Sequence, residues 1–267
     1  MSLDLSGEVV LAIFAHPDDE SIAAGGLLAW TAALGAQVTV LSLTHGEQGG
    51  SIDRDAPTGS FALGDLRARE LRRAGEALGI HEVRLLTHPD GLLPWVDATA
   101  LERDIRRVIE ALDARVVVTF DEDGLYWHPD HVATHERVTT VVAAIGPDAP
   151  ALYYASIPPG AMRSVMNAAL DQTGPETPPP RTVLGVDDPD AFGSLAPTPT
   201  HVLDTSEFAR QKYDALRCHQ SQQRTCALPH LHEQDVARLL GIEHYRRASL
   251  GSTGPTFLDR LRLTHSR

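Results

Sequence analysis

Cysteine is nearly absent from this sequence, which holds only two, Cys218 and Cys226, in 267 residues. That is too few for a disulfide framework in a chain of this length. Two unrelated thiols are a simpler reading than a Cys218–Cys226 bridge. Cations are also scarce: 23 Lys and Arg stand against 36 Asp and Glu, a formal net charge of −13. So acidic a surface repels phosphate backbones and anionic lipid headgroups, so neither nucleic acid nor a membrane is an expected partner. No apolar run reaches membrane-spanning length, and the opening MSLDLSGEVVLAIFAH lacks the basic start and long apolar stretch of a secretion signal. A cytoplasmic setting is the simplest expectation. Internal repeats are lacking too.

What is present is ordinary for a globular chain, with 42% hydrophobic and 22% charged residues. Over the first 157 residues strand-like and helix-like segments alternate. Val9 to Ala15 is an almost continuous apolar run, as in a strand covered on both faces, and QVTVLSLT (Gln37 to Thr44) and VVVTF (Val116 to Phe120) resemble it. Between them lie helical stretches, Ile22 to Leu34 with Gly35 after it, Asp65 to Leu78 with Gly79 after it, and Leu101 to Leu112, apolar at 101, 105, 108, 109 and 112. A polar loop, His45 to Gly64, precedes the second of these helices. Alternation of this kind predicts an α/β fold, a doubly wound, Rossmann-like, mostly parallel sheet with strand order near 3-2-1-4-5. From 158 to 199 the pattern collapses. Nine of the 18 prolines lie there, including Pro178-Pro179-Pro180, so the span is expected to be an extended loop or flap without regular helix. Residues 200–267 return to a strand near His201, helices Ser206–Cys218 and Glu233–Leu240, and a closing strand near Glu243. The expected organisation is a catalytic core at 1–157, the Pro-rich segment at 158–199, and a C-terminal extension completing the pocket at 200–267.

Two motifs carry chemistry. Ala15-His16-Pro17-Asp18-Asp19-Glu20 follows the first strand, and His128-Pro129-Asp130-His131 follows VVVTF and opens a helix. Both fall at carboxyl ends of strands, where doubly wound sheets bind ligands, and the expected order sets the two strands side by side across the switch point. Either motif alone is also a plain helix start, with Pro in the first turn and Asp near the positive end of the dipole. Both together read as a metal site, since two histidines and a carboxylate with an open position are the ligands of catalytic zinc. A carboxylate left over is available as a base.

These residues resemble the LmbE-like (PIG-L) superfamily of metal-dependent N-acetylglucosamine deacetylases, which includes the mycothiol- and bacillithiol-pathway enzymes. Further pieces follow in the same order: Thr44-His45-Gly46-Glu47, Arg67-Ala68-Arg69-Glu70, Asp90-Gly91, and KYDALRCHQSQ from Lys212 to Gln222. The resemblance implies hydrolysis of the N-acetyl amide of an amino-sugar conjugate, with His16, Asp19 and His131 holding zinc, or iron(II), and Asp18 as general base. It implies that His128 stabilises or protonates the tetrahedral intermediate, with Asp130 orienting its ring, and that Tyr126 helps polarise the carbonyl; chemistry alone adds that a cationic imidazole there shares the oxyanion's charge with zinc. Arg67, Glu47, Asp90 and His219 are the implied substrate-side residues, and a homo-oligomer is compatible.

Within the same chemistry the alternative is an amidase cleaving a glucosaminyl thiol S-conjugate. A metal-dependent phosphoesterase wants two metals and more carboxylates, and a sugar-binding module needs neither Asp18 nor His128. His135 reads as a surface residue, and Gly25-Gly26 as a place of close helix–sheet packing.

Overall fold

The computed structural model describes residues 3–49, 60–172, 179–223 and 226–261. Five strands, β1 (Val9–Phe14), β2 (Gln37–Ser42), β3 (Glu82–Leu85), β4 (Val116–Phe120) and β5 (Ala151–Ser156), run parallel. The helices between them are α1 (Asp19–Ala33), α2 (Ser60–Leu78), α3 (Ala98–Leu112), a distorted single turn α4 (Gly124–Trp127), and α5 (Pro129–Ile145). The sheet order is β3-β2-β1-β4-β5-β7-β6, so the expected 3-2-1-4-5 core is present, with the chain reversing direction between β1 and β4. Ala12 pairs with Val40 on one side and Val118 on the other. The apolar runs follow from this layering, since β4 and β5 are buried at every residue and β1 at all but its first.

Local signals explain most boundaries. Asp97 caps α3 by accepting from the Ala100 N–H at 2.9 Å, and Leu101, Ile105, Val108 and Ile109 form its buried stripe. Gly35 and Gly79 follow their helices at φ 92° and 72°, a conformation that costs other residues energy. The loop expected to end at Gly64 is shorter, because α2 already begins at Ser60; residues 50–59 lie outside the described residues.

The 158–199 segment departs from expectation more clearly. A helix, α6 (Ala161–Gln172), lies inside it, burying Met162, Val165, Met166 and Ala169. Its prolines cluster at 158–159 and from 175 onward, which leaves a proline-free window long enough for three turns. Composition averaged over the segment hides that window. Beyond it the chain wraps the core, with Phe192 fully buried; Pro178 is outside the described residues.

The C-terminal residues extend the same sheet. After β6 (His201–Asp204), α7 (Ala209–Cys218) and α8 (Glu233–Leu240), strand β7 (Ile242–Gly251) pairs antiparallel with both β5 and β6, ahead of a closing turn, α9 (Leu258–Leu261). Helix α7 packs against α1 and α2. Gly25 marks this helix–helix contact, where a Cβ would stand 3.0 Å from Lys212 Cγ, whereas Gly26 marks the expected close approach of helix to sheet: a Cβ there would meet Thr205 and stand 3.0 Å from Oε1 of Glu243 in β7. Among the described residues no helix is long and apolar enough to cross a membrane.

Candidate active site

The two motifs meet at the carboxyl ends of β1 and β4. Directly after β1 the chain turns sharply, with Asp18 at φ 121°, outside the comfortable range of a non-glycine residue. Such backbone costs about 1–3 kcal/mol and persists where its surroundings over-determine it. Here the Asp18 N–H donates to Glu20 Oε2 at 3.0 Å. On the other strand, His128 is the N-cap of α5, with Pro129 beginning the first turn. Gly124 lies so close that a Cβ there would stand 2.8 Å from the His131 Cβ.

Hydrogen bonds assign the tautomers. His131 Nδ1 lies 3.0 Å from the Gly124 carbonyl, which only accepts, so the proton is on Nδ1 and Nε2 presents a lone pair. His16 Nε2 faces two carboxylates, Asp130 Oδ2 and Asp90 Oδ1, each at 3.1 Å, and donates to them. In neutral His16 the lone pair is then on Nδ1. That atom is 3.2 Å from His131 Nε2, and the Asp19 carboxylate closes the triangle, 3.4 Å from His16 Nδ1 and 3.1 Å from His131 Nε2. Ligands about 2.0–2.1 Å from a tetrahedral zinc are about 3.3 Å apart. Four lone-pair-bearing atoms on three side chains thus converge at ligand spacing with no proton assigned among them in neutral His16, and the donor set fits a divalent cation.

The electrostatics agree. Burial opposes ionisation of Asp19, yet the neighbouring His131 and His16 hold its carboxyl below the usual carboxylate range. Burial also disfavours charge on His16, but hydrogen bonds accepted by Asp130, Asp19 and Asp90 outweigh it and lift the imidazole well above its ordinary value. The site draws positive charge. His16, Asp90 and Asp130 also cluster, but Asp130 already accepts from Gly91 N–H (2.8 Å) and Leu93 N–H (3.0 Å), so this group acts as an acceptor cage for the His16 N–H.

A cavity of about 310 Å³ opens over the triangle, lined by Asp18, Arg67, Asp90, Tyr126 and His128, and by Gln222 and the Leu184-Gly185-Val186 turn from later in the chain. Burial pushes the Asp18 carboxyl up to about 6, against the pull of Arg67, whose Nη2 is 3.2 Å from Asp18 Oδ2. Arg67 is itself fixed by donating to the Gly46 and Pro17 carbonyls. Burial keeps the Tyr126 hydroxyl protonated, far above the usual phenol range.

Several expectations need correction. The Asp130 carboxylate orients His16 and leaves His128 alone. His128, as N-cap, accepts the Asp130 backbone N–H at its own Nδ1 (3.2 Å), while the Asp130 side chain projects toward the strand ends. Burial, then the charges of His131 and His16, lower the His128 imidazole to about 4, and because its Nδ1 accepts, the neutral ring has its proton on Nε2. Glu47 does not line this cavity; it accepts the Asp90 N–H at 3.0 Å and faces an adjoining cavity with His45 and His88. His219 lies below the floor, 2.9 Å from Glu20 Oε1, because α7 approaches α1 from outside the sheet. His135 is half-buried and donates to the Phe120 carbonyl at 2.9 Å, outside the cavity and off the open surface. Glu20 is a residue that pattern reading missed. It is fully buried and joins Asp18, Ser21 and His219, and its only signal is its place within the first motif.

The C-terminal motif resolves into three locks. Lys212 Nζ meets Glu243 Oε1 at 2.6 Å, His219 meets Glu20, and Ser221 donates its N–H and hydroxyl to Glu70 at 2.9 and 2.7 Å.

Residues 11–142 match the family model described as PIG-L, GlcNAc-PI de-N-acetylase. The chain is 32% identical over 302 residues to a 1D-myo-inositol 2-acetamido-2-deoxy-alpha-D-glucopyranoside deacetylase of Kribbella flavida, covering 94% of this chain and 96% of that one. Its fold resembles the N,N'-diacetylchitobiose deacetylase of Pyrococcus horikoshii (TM-score 0.62, 21% identity, 90% and 84% of the two chains). It also resembles the 4-carboxy-2-hydroxymuconate hydratase of Pseudomonas putida (TM-score 0.65, 17% identity, 93% and 99%), so the fold by itself does not select the reaction. Sequence identity sustained along nearly the whole length does: the chain belongs to the PIG-L, LmbE-like family of N-acetylglucosamine deacetylases.

Proposed function

We propose that His16, Asp19 and His131 hold one divalent cation, zinc or iron(II), and that the cavity hydrolyses the N-acetyl amide of an N-acetylglucosaminyl conjugate. The observation that carries this reading is the convergence of the His16 Nδ1 and His131 Nε2 lone pairs, 3.2 Å apart, on the Asp19 carboxylate. When bound, the cation supplies Lewis acidity, which brings water toward hydroxide near pH 7 and polarises the amide carbonyl.

The chain's own residues do the rest. Asp18, ionised above about pH 6, takes the proton of the attacking water. Arg67 keeps that carboxylate in place. As the carbonyl oxygen gains charge, the His128 Nε2–H and the Tyr126 hydroxyl are donors on the cavity wall, and one such donor is typically worth about a hundredfold in rate. Asp18 returns its proton to the amine nitrogen as the C–N bond breaks, giving acetate and a free amine.

The test is amine release from N-acetylglucosaminides by the zinc-loaded protein, alongside phosphate release from aryl phosphates. Asp18→Asn is expected to retain zinc and lose about a hundredfold or more in kcat. Undiminished turnover in that variant removes Asp18 from the base role, and phosphate release in place of amine sinks the amidase reading.

A further inference from the structure

Among the described residues six large apolar side chains are exposed, and four of them, Leu92 (50%), Trp95 (72%), Trp127 (48%) and Leu195 (69%), belong to segments bordering the active-site cavity. Asp90 and Gly91 line the cavity, and Leu92 to Trp95 follow them directly. That segment is pinned to the site, since Gly91 and Leu93 both donate to Asp130. Trp127 lies between two lining residues, Tyr126 and His128. Leu195 belongs to the stretch that packs on the same turn: Gly193 donates to the Leu125 carbonyl at 3.0 Å, and the Phe192 ring is 4.8 Å from that of Tyr126.

A scattered exposed leucine needs no explanation, but two of the chain's three tryptophans are on this rim. Trp127 is also held at φ 65° and Leu125 at φ 67°, in the left-handed region that disfavours bulky residues. The Trp127 indole N–H reaches Ser194 Oγ at 3.4 Å, so its polar edge has a partner while part of the ring remains open to water. A strained backbone that leaves a large apolar ring in water is unfavourable twice over unless something covers the ring.

We propose that Leu92, Trp95, Trp127 and Leu195 form an aglycone-binding rim, and that the substrate is an amino-sugar conjugate whose non-sugar part is a neutral, flat, apolar group. This rests on the deacetylase reading and names the substrate class it left open. The occupant follows from continuity: Gly91, Tyr126 and His128 line the cavity and are the chain neighbours of Leu92 and Trp127, so these segments border the space left to the remaining substituent of a sugar whose amide lies over the His16–Asp19–His131 triangle. Apolar faces on Trp favour aromatic or apolar partners. The acidic walls, with Asp18 and Asp90 lining the cavity beside Arg67, disfavour an anionic aglycone.

The experiment compares methyl and phenyl N-acetylglucosaminides of one anomeric configuration, reading amine release and the phenyl-to-methyl ratio of kcat/KM. The expected ratio is about tenfold or more, carried mainly by KM, as for an apolar group entering an apolar subsite. Trp127→Gly, which removes the ring and relieves the positive φ, is expected to bring the ratio toward one. Trp95→Ser and Leu195→Ser, at the two most exposed positions, test the same point if Trp127→Gly does not fold. A ratio near one in the unmodified protein overturns the rim and leaves deacetylation standing. So does a high ratio that none of the three substitutions alters. Substitutions that dissociate an oligomer in sedimentation while leaving the ratio unchanged assign the patch to a second copy and also overturn it. Amine release from neither glycoside removes the deacetylase reading itself, and the rim with it.

Discussion

Replacing Asp130 by Asn separates the two roles this residue has been given. Asp130 Oδ2 accepts from His16 Nε2 at 3.1 Å and from Gly91 N–H at 2.8 Å, while Oδ1 accepts from Leu93 N–H at 3.0 Å. Asparagine has one carbonyl oxygen. Turned toward His16 and Gly91 it keeps two of the three bonds and sets its NH₂ against the Leu93 N–H; turned the other way it loses two. The first orientation is the cheaper, and one buried unpaired donor costs about 1–3 kcal/mol of stability. The bond to His16 survives without its charge, which removes about half its strength. Losing the carboxylate behind a metal-ligating imidazole typically lowers metal affinity about 10–100-fold, which is about 1.4–2.7 kcal/mol. The assay is a zinc dissociation constant from competition with a chromogenic chelator, together with kcat at saturating zinc. Weaker zinc binding with a smaller loss in kcat is expected. Zinc affinity within about twofold of the parent, with kcat down about a hundredfold, would refute the reasoning and return Asp130 to His128.

Two further outcomes follow from the buried charges. Because Arg67 favours ionised Asp18, Arg67→Gln raises that carboxyl further; the base must be ionised, so the acid limb of kcat/KM, expected at about pH 6 or below, moves up by about one unit. A limb that stays in place in the pH–rate profile dissociates Arg67 from the base. Lys212→Met leaves Glu243 buried against Gly26 N–H, Leu27 N–H and the Tyr245 hydroxyl without its cation, at about 3–5 kcal/mol. That lowers Tm by about 10 °C, and pairing it with Glu243→Gln recovers part of the loss; a thermal melt unchanged by Lys212→Met contradicts this account.

The parallel core is legible in the sequence because strands covered on both faces must be apolar at every position, and Val9 to Ala15 and VVVTF are. The meeting of the two motifs is legible for a related reason: a switch point is a property of strand order, so two motifs over a hundred residues apart are placed face to face once that order is known. What stays hidden is partnership. Nothing local to Asp130 says that its carboxylate serves His16, since that depends on how the helix N-terminus is turned against β1. His219 reads as a substrate contact from its motif, yet only the docking of α7 against α1 shows it behind Glu20. The Leu184–Val186 turn and the distorted turn that ends at Trp127 are too short for any periodicity to report their course. Helix α6 is obscured by averaging, as prolines on both sides mask the short stretch free of them.

Lys212, His219 and Ser221 seat on Glu243, Glu20 and Glu70, glutamates contributed by β7, α1 and α2. During synthesis the first motif leaves the ribosome about two hundred residues before the histidine that steadies its glutamate. A nascent chain halted before residue 212 has both histidine–aspartate motifs in hand but not the scaffold beneath them. Catalytic competence in this protein is therefore a late event of translation, and fragments released early have the motif side chains without the geometry.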